Sequence, residues 1–234
     1  MSDGGKRLFG TACVLAGGRG RRMEGRDKLF VEFAGERLLA RIERQLRSRF
    51  DDLVVVSSRQ EAFAGLGYRV VPDTLLDGGP LAGLHAGLRA ARSEWVYLVA
   101  CDMPFFSAVW VDTLRRAIDG AETASRLPGQ APVAAAARSG PFFEPFHAFY
   151  NHVLIDDIQT VLVPSRGDAR RPSIQSVVGR RNSLLLDSAP DTEGESLFVN
   201  INTPEDLTRA FDMMESRAHT SRSIERDPDP RLDP

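Results

Sequence analysis

The chemistry-bearing residues are densest between Thr11 and Lys28, TACVLAGGRGRRMEGRDK. The apolar run Ala12 to Ala16 breaks into Gly17, Gly18 and Gly20, and glycine lets backbone N–H groups approach an anion with no Cβ in the way. Arg19, Arg21, Arg22, Arg26 and Lys28 follow at once, a cation density suited to several charged oxygens, such as those of a triphosphate. The segment is not a P-loop, which needs Gly, four residues and then Gly-Lys-Ser/Thr. It also departs from the dinucleotide fingerprint, because Met23 stands where the third glycine would bring helix and strand together. The competing reading is a solvated surface turn at Gly17-Gly18-Arg19-Gly20.

The elements around these residues decide whether they converge. Ala12–Ala16 reads as a buried strand and Leu29–Phe33 as a short extended piece turning at Gly35-Glu36. Leu38, Leu39, Ile42 and Leu46 fall at helical spacing, predicting an amphipathic helix over 37–49. Leu53–Val56 suits a central parallel strand. A short helix at Gln60–Ala64 and a strand at Tyr68–Val71 follow, then a helix at Leu81–Arg92, a strand at Trp95–Ala100 and a helix from Ser107 to Ile118. Strand and helix thus alternate four times, which implies parallel strands with right-handed crossovers and a three-layer α/β/α sandwich with a mostly parallel, Rossmann-like sheet. In the second half, Ala121–Ala131 reads as loop, and Pro132–Ala137 and Glu144–Tyr150 as paired strands. Helices are expected at Asn151–Pro164 and Pro172–Gly179, and short strands at Leu184–Leu186 and Leu197–Val199. Thr203 and Pro204 mark the start of a last helix running to about Arg217.

In an open parallel sheet, ligands sit outside the carboxyl ends of the strands. Those ends carry Gly17-Gly18, Ser57-Ser58, Asp73 and Asp102. Two acids beside a basic glycine loop suit a nucleotide with Mg²⁺, which takes a few carboxylate oxygens plus substrate phosphates. Each acid has a purely structural alternative: Asp102 as a helix cap before Ser107, and Asp73 as an Asx turn after Pro72.

The whole chain sets bounds. Its 234 residues suit one large domain, expected over 11–216, with a flexible leader over 1–10 and a disordered tail over 217–234. A net charge of −2 makes no general case for nucleic acid or anionic membranes. No apolar run approaches the roughly 20 residues of a membrane span, the first ten residues lack the apolar core of a signal peptide, and Cys13 and Cys101 form neither a CxxC metal site nor a disulfide framework. A cytoplasmic protein is expected.

Taken together, LAGG at Leu15–Gly18, Arg22-Met23, Asp27-Lys28, Pro72-Asp73, GPLAG at Gly79–Gly83, Cys101-Asp102-Met103-Pro104 and NINTPEDL at Asn200–Leu207 resemble molybdenum cofactor guanylyltransferase over about residues 11–215. The resemblance implies the nucleotide-diphospho-sugar transferase type of sandwich. It further implies transfer of GMP from GTP to the phosphate of molybdenum-molybdopterin, with Mg²⁺ as cofactor. By matching position, Leu15, Ala16, Gly17 and Gly18 would bind nucleotide through their backbone, with Gly79 nearby. Lys28 and Arg22 would hold phosphates, Asp73 the nucleoside, and Asp102 both nucleotide and metal. Asn200 and Asn202 would face the acceptor, and molybdoenzyme apoproteins or their chaperones would receive the product. Apart from the resemblance, Arg166, Arg170 and Arg171 read either as contacts to the acceptor's phosphate or as an ordinary solvated connector. Where the family often has Asn after the second strand, this chain has the shorter Ser57. That leaves a cytidylyltransferase for the same pterin, or a sugar-phosphate nucleotidyltransferase, as related alternatives; a non-catalytic cofactor-delivery adaptor is a more distant one. His85 and His147 read as packing or cleft hydrogen-bonding residues, and Cys101 as a small buried residue. Phe142, Phe143 and Phe146 read as packing, with pterin stacking by one of them as the alternative.

Overall fold

The computed structural model describes residues 9–17, 31–73, 75, 78–124, 130–163, 172–187 and 197–224, the last eight of these as backbone only. The main sheet contains β1 (Phe9–Leu15), β4 (Phe50–Val56), β5 (Arg69–Val71), β6 (Trp95–Ala100), β7 (Ala134–Ser139), β9 (Ala148–Asn151) and β10 (Ser183–Leu186). Its order is β10-β7-β9-β6-β1-β4-β5, with β8 (Phe142–Phe143) paired to β7. A small hairpin, β2 (Glu32–Phe33) with β3 (Glu36–Arg37), stands apart. The strands β5, β4, β1 and β6 run parallel. β9 is antiparallel to both β6 and β7, while β10 is parallel to β7. From β1 the chain goes out to β4 and β5, then returns to lay β6 on the other side of β1. That reversal of direction is the topological switch point of an open α/β sheet.

Alternation along β1 shows how the layers form. Ala12, Val14 and Ala16 join one core with α1 (Leu38–Leu46) and α3 (Ala108–Ala124). Cys13 and Leu15 face the opposite core, with α2 (Gly79–Ala90), α4 (Leu154–Leu162) and α5 (Ile174–Val178). Side chains of period two on a sheet with helices on both faces give the expected three layers. A third, smaller core joins the β2–β3 hairpin, Phe105 and α6 (Pro204–Ile224) through Phe33, Ile201, Ala210 and Phe211.

Several expectations are corrected. Phe9 and Gly10 are the first residues of β1 rather than leader: the Phe9 N–H donates to Arg49 O at 2.6 Å and its ring packs edge-on to Phe50. The last helix passes Arg217 and reaches Ile224, so the tail expected to be disordered is helical in its first part. α3 likewise runs on to Ala124, into the segment expected as loop. Leu197–Val199, expected as a strand, is in none of the described sheets; Leu197 packs into the core of α1 and α3 instead. Glu144–Tyr150 is not one strand, because a turn at 144–147 separates β8 from β9.

The amino ends of the strands are closed by an internal polar network. Buried Asp52 accepts from Thr11 Oγ1 at 2.7 Å and pairs with Arg69, whose guanidinium also donates to Ala90 O at 2.6 Å. At the other end, α2 lies very close to β1. A Cβ on Gly87 would stand 2.4 Å from Cys13 Sγ, and one on Gly83 would stand 3.0 Å from Leu15 Cδ2. Gly87→Ala gains up to about 1 kcal/mol of helix propensity but overpacks a filled core at a cost of about 1–3 kcal/mol. Urea unfolding is expected to show net destabilisation for Gly87→Ala. Gly120→Ala, on α3 with no atom of the described residues within 4 Å of its Cβ, is expected to gain about 0.5–1 kcal/mol; equal shifts for the two would refute the close-approach account.

Candidate active site

A cleft of about 480 Å³ opens at the carboxyl ends of β1, β4, β5 and β6. Leu15 and Gly17 form its floor at the end of β1, where the Ala16 N–H donates to Val56 O at 2.9 Å and the Cys101 N–H donates to Leu15 O at 3.0 Å. The last residues of β1 are thus held from both sides, and the chain then leaves the sheet at exposed Gly17. A Cβ on Gly17 would meet no atom of the described residues within 4 Å. Of the residues predicted for this floor, Ala16 lies buried beneath it. Gly18, Arg22 and Lys28 lie outside the described residues, as does Arg170.

Ser57 and Asp73 form one wall. Ser57 is buried, and its hydroxyl donates to Ala16 O and accepts from the Arg59 N–H, both at 3.2 Å. Its side chain therefore ties the end of β4 to the end of β1, while Ser58, beside it, also lines the cleft. Asp73 Oδ1 accepts the Leu75 N–H at 3.2 Å, so the Asx turn is present, and the residue lines the cleft as well. Partial burial pushes its carboxyl above the usual range, against the pull of the Leu75 N–H and of His85. Gly79, at φ +56, takes the left-handed turn into α2 that L side chains seldom adopt. It and Gly83 line the cleft from above Leu15.

Asp102 and the two asparagines form the other wall. Asp102 is not the cap of α3, because Ser107 Oγ accepts the Trp110 N–H at 3.1 Å and fills that role. The backbone of Asp102 instead anchors a distant segment: its carbonyl accepts the Ile201 N–H at 2.8 Å. Thr203 and Asp206 lock the start of α6, with Thr203 Oγ1 accepting from the Asp206 N–H and Asp206 Oδ2 accepting from the N–H groups of Asn202 and Thr203. Those backbone donors hold the Asp206 carboxyl below the usual range. Asn200 and Asn202 are thereby held beside Asp102. Phe146 completes this wall; sequence reading placed it with the packing residues, since a single phenylalanine carries no positional signal.

Asp102 supplies a hard oxygen donor for a cation at the end of β6, while Asp73, three strands away after β5, lies about 14 Å across the sheet, too distant to share one ion with it. Among the described residues no group of three His, Cys, Asp or Glu could enclose a metal. The donor set fits Mg²⁺, which binds through one or two carboxylates and completes its shell with phosphates and water. The two buried histidines do other work. His85 Nε2 has no hydrogen-bond partner among the described residues, and burial lowers its pKa, as does nearby Arg89. His147 Nδ1 shares a hydrogen bond with Tyr97 Oη at 3.0 Å, and its backbone takes φ +52. Cys101 is buried at the cleft edge, and burial pushes the fully enclosed Cys13 thiol up to about 12. No helix among the described residues is long and apolar enough to cross a membrane.

Known proteins share sequence and fold with this chain. The MobA-like NTP transferase domain matches residues 12–181. The chain is 37% identical over 197 residues to a molybdenum cofactor guanylyltransferase of Pseudomonas putida, covering 83% of this chain and 94% of that protein. To the molybdenum cofactor guanylyltransferase of Syntrophotalea carbinolica it is 34% identical over 203 residues, covering 86% and 90%. Among solved structures, molybdopterin-guanine dinucleotide biosynthesis protein A from Archaeoglobus fulgidus superposes with a TM-score of 0.69 at 25% identity, covering 88% of this chain and 99% of that one. The 2-C-methyl-D-erythritol 4-phosphate cytidylyltransferase of Thermus thermophilus shares the fold at a TM-score of 0.58 and 17% identity, covering 88% and 100%.

His147 generates a prediction about acid stability. Burial lowers its pKa to about 3 in the fold, whereas in the unfolded chain it titrates near 6.5. Between those values the unfolded state binds a proton that the native state does not, so stability falls as pH drops below about 6.5. Going from pH 7.5 to 5.0 should cost wild type about 2 kcal/mol through this residue. His147→Asn tolerates the left-handed backbone and offers Oδ1 where Nδ1 stands. Urea unfolding at both pH values is expected to show a smaller acid loss in the variant; parallel losses would place the acid sensitivity elsewhere.

Proposed function

The chain belongs to the MobA-like NTP transferase family, among its molybdenum cofactor guanylyltransferases, and from that premise we infer the reaction of the cleft. GMP passes from GTP to the phosphate of molybdenum-loaded molybdopterin, giving a guanine dinucleotide cofactor and pyrophosphate. The observation that carries this reading is the meeting of Gly17, Asp102 and the Asn200–Asn202 segment at the switch point of the sheet.

An oxygen of the acceptor phosphate attacks the α-phosphorus of GTP, and the bond from that phosphorus to the bridging oxygen of the β-phosphate breaks. The acceptor is already an anion, so no general base is needed. Transfer then depends on positioning and on neutralising charge. The glycine end of β1 receives the phosphates through backbone N–H groups, and Asp73 takes the nucleoside side. Asn200 and Asn202 orient the acceptor, with Arg170 as a further phosphate contact. Asp102 would hold Mg²⁺, which completes its shell with phosphate oxygens and water. When bound, the ion supplies neutralisation of charge on the phosphate oxygens. Lys28 and Arg22 balance the charge that grows on the leaving pyrophosphate.

The Ser57 hydroxyl already donates to Ala16 O and accepts from the Arg59 N–H, so it has no proton to give a nucleotide base. Equilibrium binding of GTP, CTP and ATP with Mg²⁺ tests base choice. GTP is expected to bind at least tenfold tighter, about 1.4 kcal/mol, and a preference for CTP would move the protein to cytidylyl transfer. Asp102→Asn is expected to lower turnover on the order of 10²-fold and to remove the metal dependence of binding. Near-normal turnover would overturn its assignment. Gly17→Ala should melt as wild type does, because its Cβ meets no atom of the described residues within 4 Å. It should bind GTP more weakly, because that Cβ enters the space the phosphates need.

A further inference from the structure

We propose that Phe146 is the stacking surface for the planar pterin of the acceptor, and so a specificity-determining residue of the acceptor half of the cleft. The inference rests on the guanylyltransferase reading above and extends it to a residue in the turn before β9. Three phenylalanines lie close together in sequence here, and the structure separates them. Phe143 is in the core, and Phe142 is exposed on the hairpin formed by β7 and β8. Phe146 is half-buried, packs against the edge of both main cores and lines the cleft.

The backbone on both sides of Phe146 is fastened. Pro145 O accepts Tyr150 Oη–H at 2.8 Å, and the Phe146 N–H donates to Glu144 Oε1 at 3.3 Å. The His147 N–H donates to Leu98 O and His147 O accepts Trp110 Nε1–H, both at 2.8 Å. His147 itself takes the left-handed conformation at φ +52. A turn this firmly held, with a half-exposed aromatic residue at its centre, is a preorganised wall that loses little conformational freedom when a flat ring settles on it.

Sheet geometry selects which ring. β9 runs antiparallel to β6, with Ala148 opposite Leu98, so Phe146 stands over the carboxyl end of β6, on the side of Asp102 away from β1. Ser57 and Asp73 follow β4 and β5. At about 4.8 Å per strand they lie roughly 14 and 19 Å across the sheet from the start of β9. A purine held by that far wall is out of reach of Phe146. The acceptor, entering from the Asn200–Asn202 side with its phosphate directed at the switch point, brings its pterin to this wall. Stacking of a heteroaromatic ring on phenylalanine is sequence-cheap and geometrically specific, and the two asparagine amides beside it suit the donor and acceptor edge of a pterin.

The test uses the full chain and 6-hydroxymethylpterin phosphate, a fluorescent pterin with a phosphate ester, titrated while pterin fluorescence is followed; GTP binding is measured in parallel by calorimetry. Phe146→Leu keeps an apolar side chain of similar size without a ring, and Phe146→Tyr keeps the ring. Wild type and Phe146→Tyr are expected to bind the probe with quenching. Phe146→Leu is expected to bind it about tenfold more weakly, with GTP affinity unchanged. Equal probe binding by Phe146→Leu and wild type overturns the proposal, as does a loss of GTP and probe affinity together, which would make Phe146 a packing residue. Wild type that binds GTP but not the probe overturns the stacking role and leaves the nucleotide half intact. Binding of neither overturns the guanylyltransferase reading with it.

Discussion

The structure depends on β1 being hydrogen-bonded to a parallel neighbour on both sides while its two neighbours belong to opposite directions of chain travel. β4 and β6 flank it in register along most of its length. Those bonds continue to the last turn of the strand, at Ala16 with Val56 and at Leu15 with Cys101. Past that point the connections diverge, and the sheet cannot close over its own end. The crevice that remains is a consequence of topology. Gly17, Asp102, Asp73 and Ser57 are placed around it because each ends a strand or follows one directly.

The two ends of the strands handle polarity in opposite ways. At the amino ends, Asp52, Arg69 and Thr11 satisfy one another inside the protein. A buried carboxylate there without its guanidinium partner would be costly. At the carboxyl ends, Asp73, Asp102 and the two asparagines line a cavity instead, and the partial burial of Asp73 disfavours its charged form. The close fit of α2 through Gly83 and Gly87 keeps the floor of the cavity rigid without filling it.

The acceptor wall is assembled from parts distant in sequence. Asp102 and the 200–203 segment join through one backbone hydrogen bond, and the reciprocal Thr203–Asp206 cap sets where α6 begins. α6 then packs on the β2–β3 hairpin in its own small core. Positioning of the two asparagines therefore draws on a helix cap, worth about 1 kcal/mol, and on apolar contacts far from the chemistry.

Much of this was legible in local patterns. The apolar run ending in glycines, the alternation of strands with amphipathic helices, and acids directly after β5 and β6 follow from periodicity and from the position of each residue relative to its strand. β6 begins and ends where the apolar run Trp95–Ala100 does. The motifs that identify the family lie mostly in these stretches. Other features depended on contacts across the chain. Whether Asp102 caps α3 or faces the cleft turned on Ser107 being nearer the helix start. Phe9 is strand because Arg49 and Phe50 are there to pair with it. Phe143 and Phe146 have the same side chain three positions apart, and only the turn at 144–147, held by Tyr150, Leu98 and Trp110, sends one into the core and the other to the cleft. Side-chain type and spacing specify which segments become strands and helices; which residues meet across 50 or 100 positions is decided by packing, where hydrogen bonds and excluded volume are shared among segments that are remote in sequence.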